Sequence, residues 1–200
     1  MAKTNTASTV IARAGLLLGD VNHDRYNEPQ LISWIADGQQ AILTVSLAAN
    51  VKRESVSLIQ GFEQTAPSDC YKIVEIPRNT SGDMITLVPD ARTLFIDDPA
   101  WTTAAGDATV LHVVEHPGEK GFTCYPTQPA SPGAVDMVYA AYPVAPTQGS
   151  DTLGIENEYL DALVNYVVYR ALSQDDDNTA QPGAADARYA AYLAAIPGGG

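Results

Sequence analysis

Cysteine is scarce in this 200-residue chain: Cys70 and Cys124 stand far apart and form no C-x-x-C pair. That excludes a disulfide scaffold and a cysteine-based zinc site, and reads as two small buried thiols in a reducing compartment. Basic residues are few as well, 11 Lys+Arg against 24 Asp+Glu, for a formal net charge of -13. A protein that wraps nucleic acid needs clustered Lys and Arg to neutralise phosphates. Here the basic residues pair only at Lys52-Arg53 and, more distantly, Arg78 and Arg92. Long apolar runs are missing too. Leu16-Leu17-Leu18 is too short for the core of a secretory signal, and nothing approaches the roughly 20 apolar residues of a membrane span. A soluble protein made in the cytoplasm, with no membrane partner, is the expectation. G-x-S-x-G, G-x-G-x-x-G and P-loop patterns are absent, so the common hydrolase and nucleotide-binding signatures are not written here.

What is present is enough for a core. Hydrophobic residues make up 46% and charged residues 18%, the balance of a folding chain. A domain of this size buries roughly 70% of its unfolded surface without a metal or disulfide staple. The spacing predicts a helix from Ser8 to Leu18, capped by Ser8 or Thr6, with Val10, Ala14, Leu17 and Leu18 on one face and Gly19-Asp20 as its stop. A second helix follows Asn27-Glu28-Pro29, with Asn27 as N-cap and Pro29 in the first turn. Its apolar stripe is Leu31, Trp34, Ile35, Gly38, Ile42 and Val45.

Between Val51 and Tyr142 short β-rich runs alternate with Pro, Gly, Asn and Asp. They are Val51–Ile59, Met84–Val88, Val110–Val114, Phe122–Tyr125 and Val135–Tyr142. In the last, Val135, Met137, Tyr139 and Ala141 take one face. His116 to Gly121 reads as a hairpin connection, and Cys70 to Ile76 as a helical turn passing into a strand. Helices return from Ile155 to Gln174, end at Asp175-Asp176-Asp177-Asn178, and resume from Gly183 to Ala195 before a Pro197-Gly198-Gly199-Gly200 tail. On the final helix Arg188, Tyr189, Tyr192 and Leu193 recur among alanines and are expected to be exposed. The organisation expected is α+β: residues 1–50 and 146–200 form a four-helix bundle from the N- and C-terminal helix pairs. Residues 51–145 form a central antiparallel β-rich insertion.

Candidate chemistry is thin. Asp20-Val21-Asn22-His23-Asp24 has the D-x-N-x-D spacing of a calcium loop. Position six is Arg25 where Gly is needed, and position twelve is Leu31 where a bidentate carboxylate should close the site. A polar turn between helices accounts for it better than a dockerin-like, calcium-dependent module. His112 and His116 suggest a metal pair, but on a strand four residues separate side chains by about 13 Å. Cys124 with a histidine could be imagined as a small thiol hydrolase, yet no local nucleophile signature accompanies it. Catalytic, metal and cofactor residues are therefore expected to number none.

Ten tyrosines against three phenylalanines favour rings with a polar handle, suited to protein contacts. Tyr159 and Tyr166 fit ordinary packing; Tyr189 and Tyr192 fit a partner surface.

Residues Leu31 to Ile42 (LISWIADGQQAI) resemble the "EL-x-x-W-x-N-D-G-Q-x-x-I" helix of bacteriophage head-to-tail adaptors, with Ala36 in place of the Asn. Gly61-Phe62-Glu63-Gln64 with Pro67 is similar to "G-x-x-Q-x-L-P", with Ala66 in place of the Leu, and the stretch from Arg92 to Trp101 is similar to "R-x-x-L-D…P-x-W". Phe122 to Pro126 resembles "F-x-V-Y-P", and Val138 to Pro143 resembles "L-x-Y-A-x-x-P". Ile155 to Ala171 resembles the helix "P-x-x-Y-x-D-A-L-V-x-Y-x-L-x-R-A". The likeness runs through nearly the whole chain in order and extends to the gatekeepers of short-tailed phages.

The resemblance implies a non-enzymatic structural subunit of the virion neck. It implies a homo-oligomeric, twelve-membered ring joining the portal protein to a tail or nozzle protein, with DNA passing through its channel without sequence-specific binding. It also implies that the helices face the portal, with Arg188, Tyr189, Tyr192 and Ile196 as candidate contacts. The β-module would face the tail, with Trp101, His116 and Lys120 as candidates.

Overall fold

The computed structural model describes residues 3–116, 120–174 and 183–197. The chain divides into two units, Met1–Asn50 with Tyr142–Gly200, and Val51–Ala141.

The first unit is helical. Helix α1 (Ala7–Leu18) ends where Gly19 adopts a left-handed conformation, φ 67°, and its N–H closes back on the last turn. Helix α2 (Glu28–Val45) begins at Asn27, whose side chain accepts from the Gln30 amide, and Pro29 occupies the first turn. A short 3-10 turn, Leu47–Asn50, closes this half. In the second half, helix α4 (Leu160–Ser173) follows another 3-10 turn, and α5 (Ala184–Ala194) ends the described chain. One core joins Val10, Leu31, Ile35, Ile42, Leu163 and Val167.

These helices do not form the expected four-helix bundle. Helices α1, α2 and α5 each pack on α4, but α5 has no other substantial helix neighbour. A bundle helix needs an apolar stripe wide enough to touch two others. In α5 the one buried residue is Tyr192, set among alanines, and Ile196 follows the helix end. On α1 the buried side is Ala7, Val10, Ile11 and Ala14. Leu17, expected on that side, is instead exposed, and a cleft separates the end of α1 from α5. Val45, expected on the α2 stripe, is also half exposed.

The second unit carries two sheets. In the first, β1 (Val51–Ser57), β7 (Ala134–Ala141) and β3 (Cys70–Asn79) lie antiparallel in the order β1-β7-β3. In the second, β2 (Gly61–Thr65), β6 (Gly121–Gln128), β5 (His112–Glu115) and β4 (Thr86–Leu87) follow in that order. Pairing here is antiparallel except for β4, which runs parallel to β5. A short helix, α3 (Ala91–Asp97), lies between them in sequence, so its crossover permits the parallel pair.

Val135, Met137, Tyr139 and Ala141 are fully buried along one face of β7, as their alternation predicts, and pack with Phe122 and Cys124. Cys70 to Ile76 is strand throughout, not a helical turn. The connection after His116 includes residues 117–119, which lie outside the described residues, as do 175–178 and 198–200.

Candidate interaction surfaces

The calcium-like loop uses its first carboxylate internally. Asp20 accepts from the amides of Asp24 at 2.9 Å, Tyr26 at 3.0 Å and Arg25 at 3.3 Å. The Tyr26 amide foremost holds its carboxyl below the usual range. Left-handed His23, φ 58°, completes the turn that folds the loop over Asp20. The loop is thus a joint that fixes the angle between α1 and α2. Among the described residues no group of three or more His, Cys, Asp or Glu converges as a metal site.

The other candidate groups go to separate partners. The His112 ring stacks on Tyr125 at 5.7 Å, while His116 Nε2 sits 2.8 Å from the Thr123 hydroxyl. Cys124 is wholly buried, and burial pushes its thiol up to about 11. The nucleophile is the thiolate, so this sulfur is inert at neutral pH.

The terminal helix is seated by rings. Tyr192 lies 5.3 Å from Tyr166 and 5.7 Å from Tyr189, and Tyr189 lies 5.0 Å from Tyr169. Tyr192 is 2% exposed, contrary to its expected exposure, and burial raises its hydroxyl to about 12. Ile196 is buried with it. The spacing 188, 192, 196 is the signal that could have identified this as the inward stripe. Tyr189 and Leu193 remain partly exposed on one flank of that stripe, and Arg188 bonds to the Asn165 side chain at 3.2 Å. Behind them Arg170 reaches both Asp37 and the Tyr166 hydroxyl at 3.2 Å, which fixes the ring that Tyr192 packs on.

In the β unit Trp101 is also 2% exposed. It centres a small cluster with Phe62, Phe95 and Tyr125 at 5.3–6.1 Å, so its bulk supports the surface from inside. His116 is half-buried and Lys120 exposed.

Among the apolar exposures that the sequence reading did not anticipate are two adjacent pairs. One is Leu16 with Leu17 at the end of α1; the other is Phe95 with Ile96 on α3. Leu16 to Leu18 look like core in a linear pattern, and a seven-residue helix has too few turns to show a period.

No helix among the described residues is long and apolar enough to cross a membrane. The described residues form two units, each with its own hydrophobic core and its own exposed surfaces. A family model described as the SU10 adaptor protein matches residues 5–199. The chain belongs to the SU10 adaptor family. No curated protein matches it. SU10 adaptors are structural proteins of phage virions, and their work is contact with other head and tail proteins and with themselves. Membership of that family points to a structural role for this chain. The match spans both units of the adaptor, so helices and sheets belong to one family architecture.

Proposed function

We propose that this adaptor assembles as a ring, with twelve copies, in the phage neck between portal and tail, around a channel for DNA. The observation that carries the reading is a family match over two units that each hold their own hydrophobic core. Separate cores let one unit engage one neighbour without repacking the other, which a joining piece requires. The helical unit is assigned to the portal. Tyr189 is the presented ring, with Tyr192 and Ile196 seating it and Arg188 one turn before Tyr192 on the same stripe. The β unit is assigned to the tail or nozzle protein through the end bearing His116 and Lys120, with Trp101 stiffening it from within. A net charge of -13 suits a channel that repels the duplex and lets it slide.

Native mass spectrometry and negative-stain imaging, of the chain alone and mixed with its phage's portal protein, test this. A twelve-fold ring in either sample is expected. A chain that stays monomeric and ignores portal overturns the reading.

A further inference from the structure

The chain passes between its two units twice, from Asn50 into Val51 and from Ala141 into Tyr142. Within the helical unit both passages meet residues 154–156. Beside the first, the Glu156 amide donates to the Ala49 carbonyl at 2.9 Å. Beside the second, Gly154 lies so close to the chain that a Cβ would come within 2.7 Å of Pro143 and of the Val144 amide.

Residues 3–6 bind this same junction. Lys3 Nζ donates to Asn50 Oδ1 at 2.5 Å and to the Gly154 carbonyl at 2.6 Å, so one ammonium reaches the anchors of both passages. Asn50 is 4% exposed, which leaves its carbonyl little access to water in exchange. The backbone of the segment is seated separately. Asn157 Oδ1 accepts from the amides of Thr4 at 3.0 Å and Asn5 at 3.3 Å, the Asn5 carbonyl accepts from Leu153 at 2.9 Å, and Thr6 bridges to Thr152. None of these four residues belongs to the hydrophobic core, whereas α1, which follows directly, does.

We infer that residues 3–6 act as a strap that holds the helical ends of both passages, with Lys3 as its pin. A single ammonium with acceptors on two segments couples them: when it leaves, Asn50 and Gly154 lose a bond in one event. Opening is local, because the strap carries hydrogen bonds and no core side chain. The passages therefore have a held state and a loose state that interconvert without unfolding α2 or α4. The device belongs to the single chain and is independent of ring formation.

Nitroxide labels test it on the full chain. They are placed at Ala48→Cys beside the first passage, at Val144→Cys beside the second, and at Thr44→Cys on α2 for reference. All three positions are exposed, and the native Cys70 and Cys124 are buried. Adding Lys3→Met is expected to shorten the rotational correlation times of the labels at 48 and 144 by about twofold or more, with the label at 44 unchanged. Asn157→Ala, which unseats the strap without touching its pin, is expected to loosen the same two labels. If Lys3→Met moves neither label, or only one, Lys3 does not couple the passages and the inference is wrong. If the label at 44 loosens with them, Lys3 is a general stabilising contact and the inference fails as well. If Asn157→Ala leaves both labels held, the segment does not act as a strap.

Discussion

Buried amide side chains tie the loops of this protein to its cores. Gln39, fully buried on α2, accepts from the Gly154 amide at 2.5 Å and faces the Val144 carbonyl at 3.4 Å. It fastens the segment between the last strand and α4 to the N-terminal half. In the β unit Gln64 holds Ile59 by both its N–H and its C=O, at 2.7 and 2.8 Å. Asn79 does the same for Val110, at 2.8 Å each. Such groups cost more when removed than when never made, because the backbone partner stays buried without a bond. Gln39→Leu is therefore expected to lower the unfolding free energy by about 1–3 kcal/mol, measured by urea denaturation. A neutral result would mean that solvent reaches the Gly154 amide. Tyr139 follows the same logic with charge added: its buried hydroxyl lies 2.7 Å from Glu54 and 3.1 Å from Asp69, donating to one at a time. Asp69 is meanwhile held by Lys52, whose bond foremost keeps its carboxyl below the usual range.

At the scale of elements, α2 crosses α4 over Gly38. A Cβ there would come within 2.6 Å of Leu163 Cδ1 and 2.8 Å of the Tyr166 ring, both inside the least separation that carbon atoms tolerate. Alanine in place of helical glycine gains about 1 kcal/mol of propensity, whereas overpacking costs about 1–3 kcal/mol. Leu163 is fully buried and Tyr166 is held by Tyr192 and Arg170, so neither can step aside. Gly38→Ala is expected to destabilise the protein by about 1 kcal/mol or more, and Gly38→Val by more; a stabilised Gly38→Ala variant would mean that the helices separate freely. Helix α5 packs chiefly on α4 and buries only Tyr192 within its own length. Tyr192→Ala should raise amide exchange in residues 184–194 well before the α2 amides respond. Uniform change in both would show that α5 is part of the cooperative core.

For the molecule as a whole, pH acts at both ends. Asp151 accepts from the Thr147 amide and hydroxyl and the Gln148 amide, which hold its carboxyl at about 2, and Asp20 and Asp69 are lowered as well. A carboxyl lowered on folding stabilises above its unfolded value near 3.8 and loses that contribution as protons bind. Stability is expected to fall between about pH 4 and pH 2. Tyr139 and Tyr192 are raised, both foremost by burial, so above about pH 10 the unfolded chain releases protons that the folded one keeps, and stability falls again. Denaturant midpoints across pH 2–11 would show both limbs, and Tyr139→Phe should flatten the alkaline one. An unchanged alkaline limb would place its origin in other groups.

The pattern of residues settled the local elements. Asn27 and Pro29 start α2, Gly19 stops α1, and the alternation from Val135 to Ala141 buries one face of β7. These signals lie within a few residues of one another and depend on backbone geometry alone. The ordered motifs from Leu31 to Ala171 also made the adaptor family legible before any coordinates. Helix–helix neighbours were not legible, because an apolar stripe states that it is covered without saying by what. Val10 and Ala14 read the same in a closed bundle as in three helices gathered on α4. The exposed pairs Leu16–Leu17 and Phe95–Ile96, the burial of Tyr192 and Trp101, and the inertness of Cys124 were likewise decided only by tertiary packing. Exposure belongs to what surrounds a side chain, and those surroundings come from distant parts of the chain.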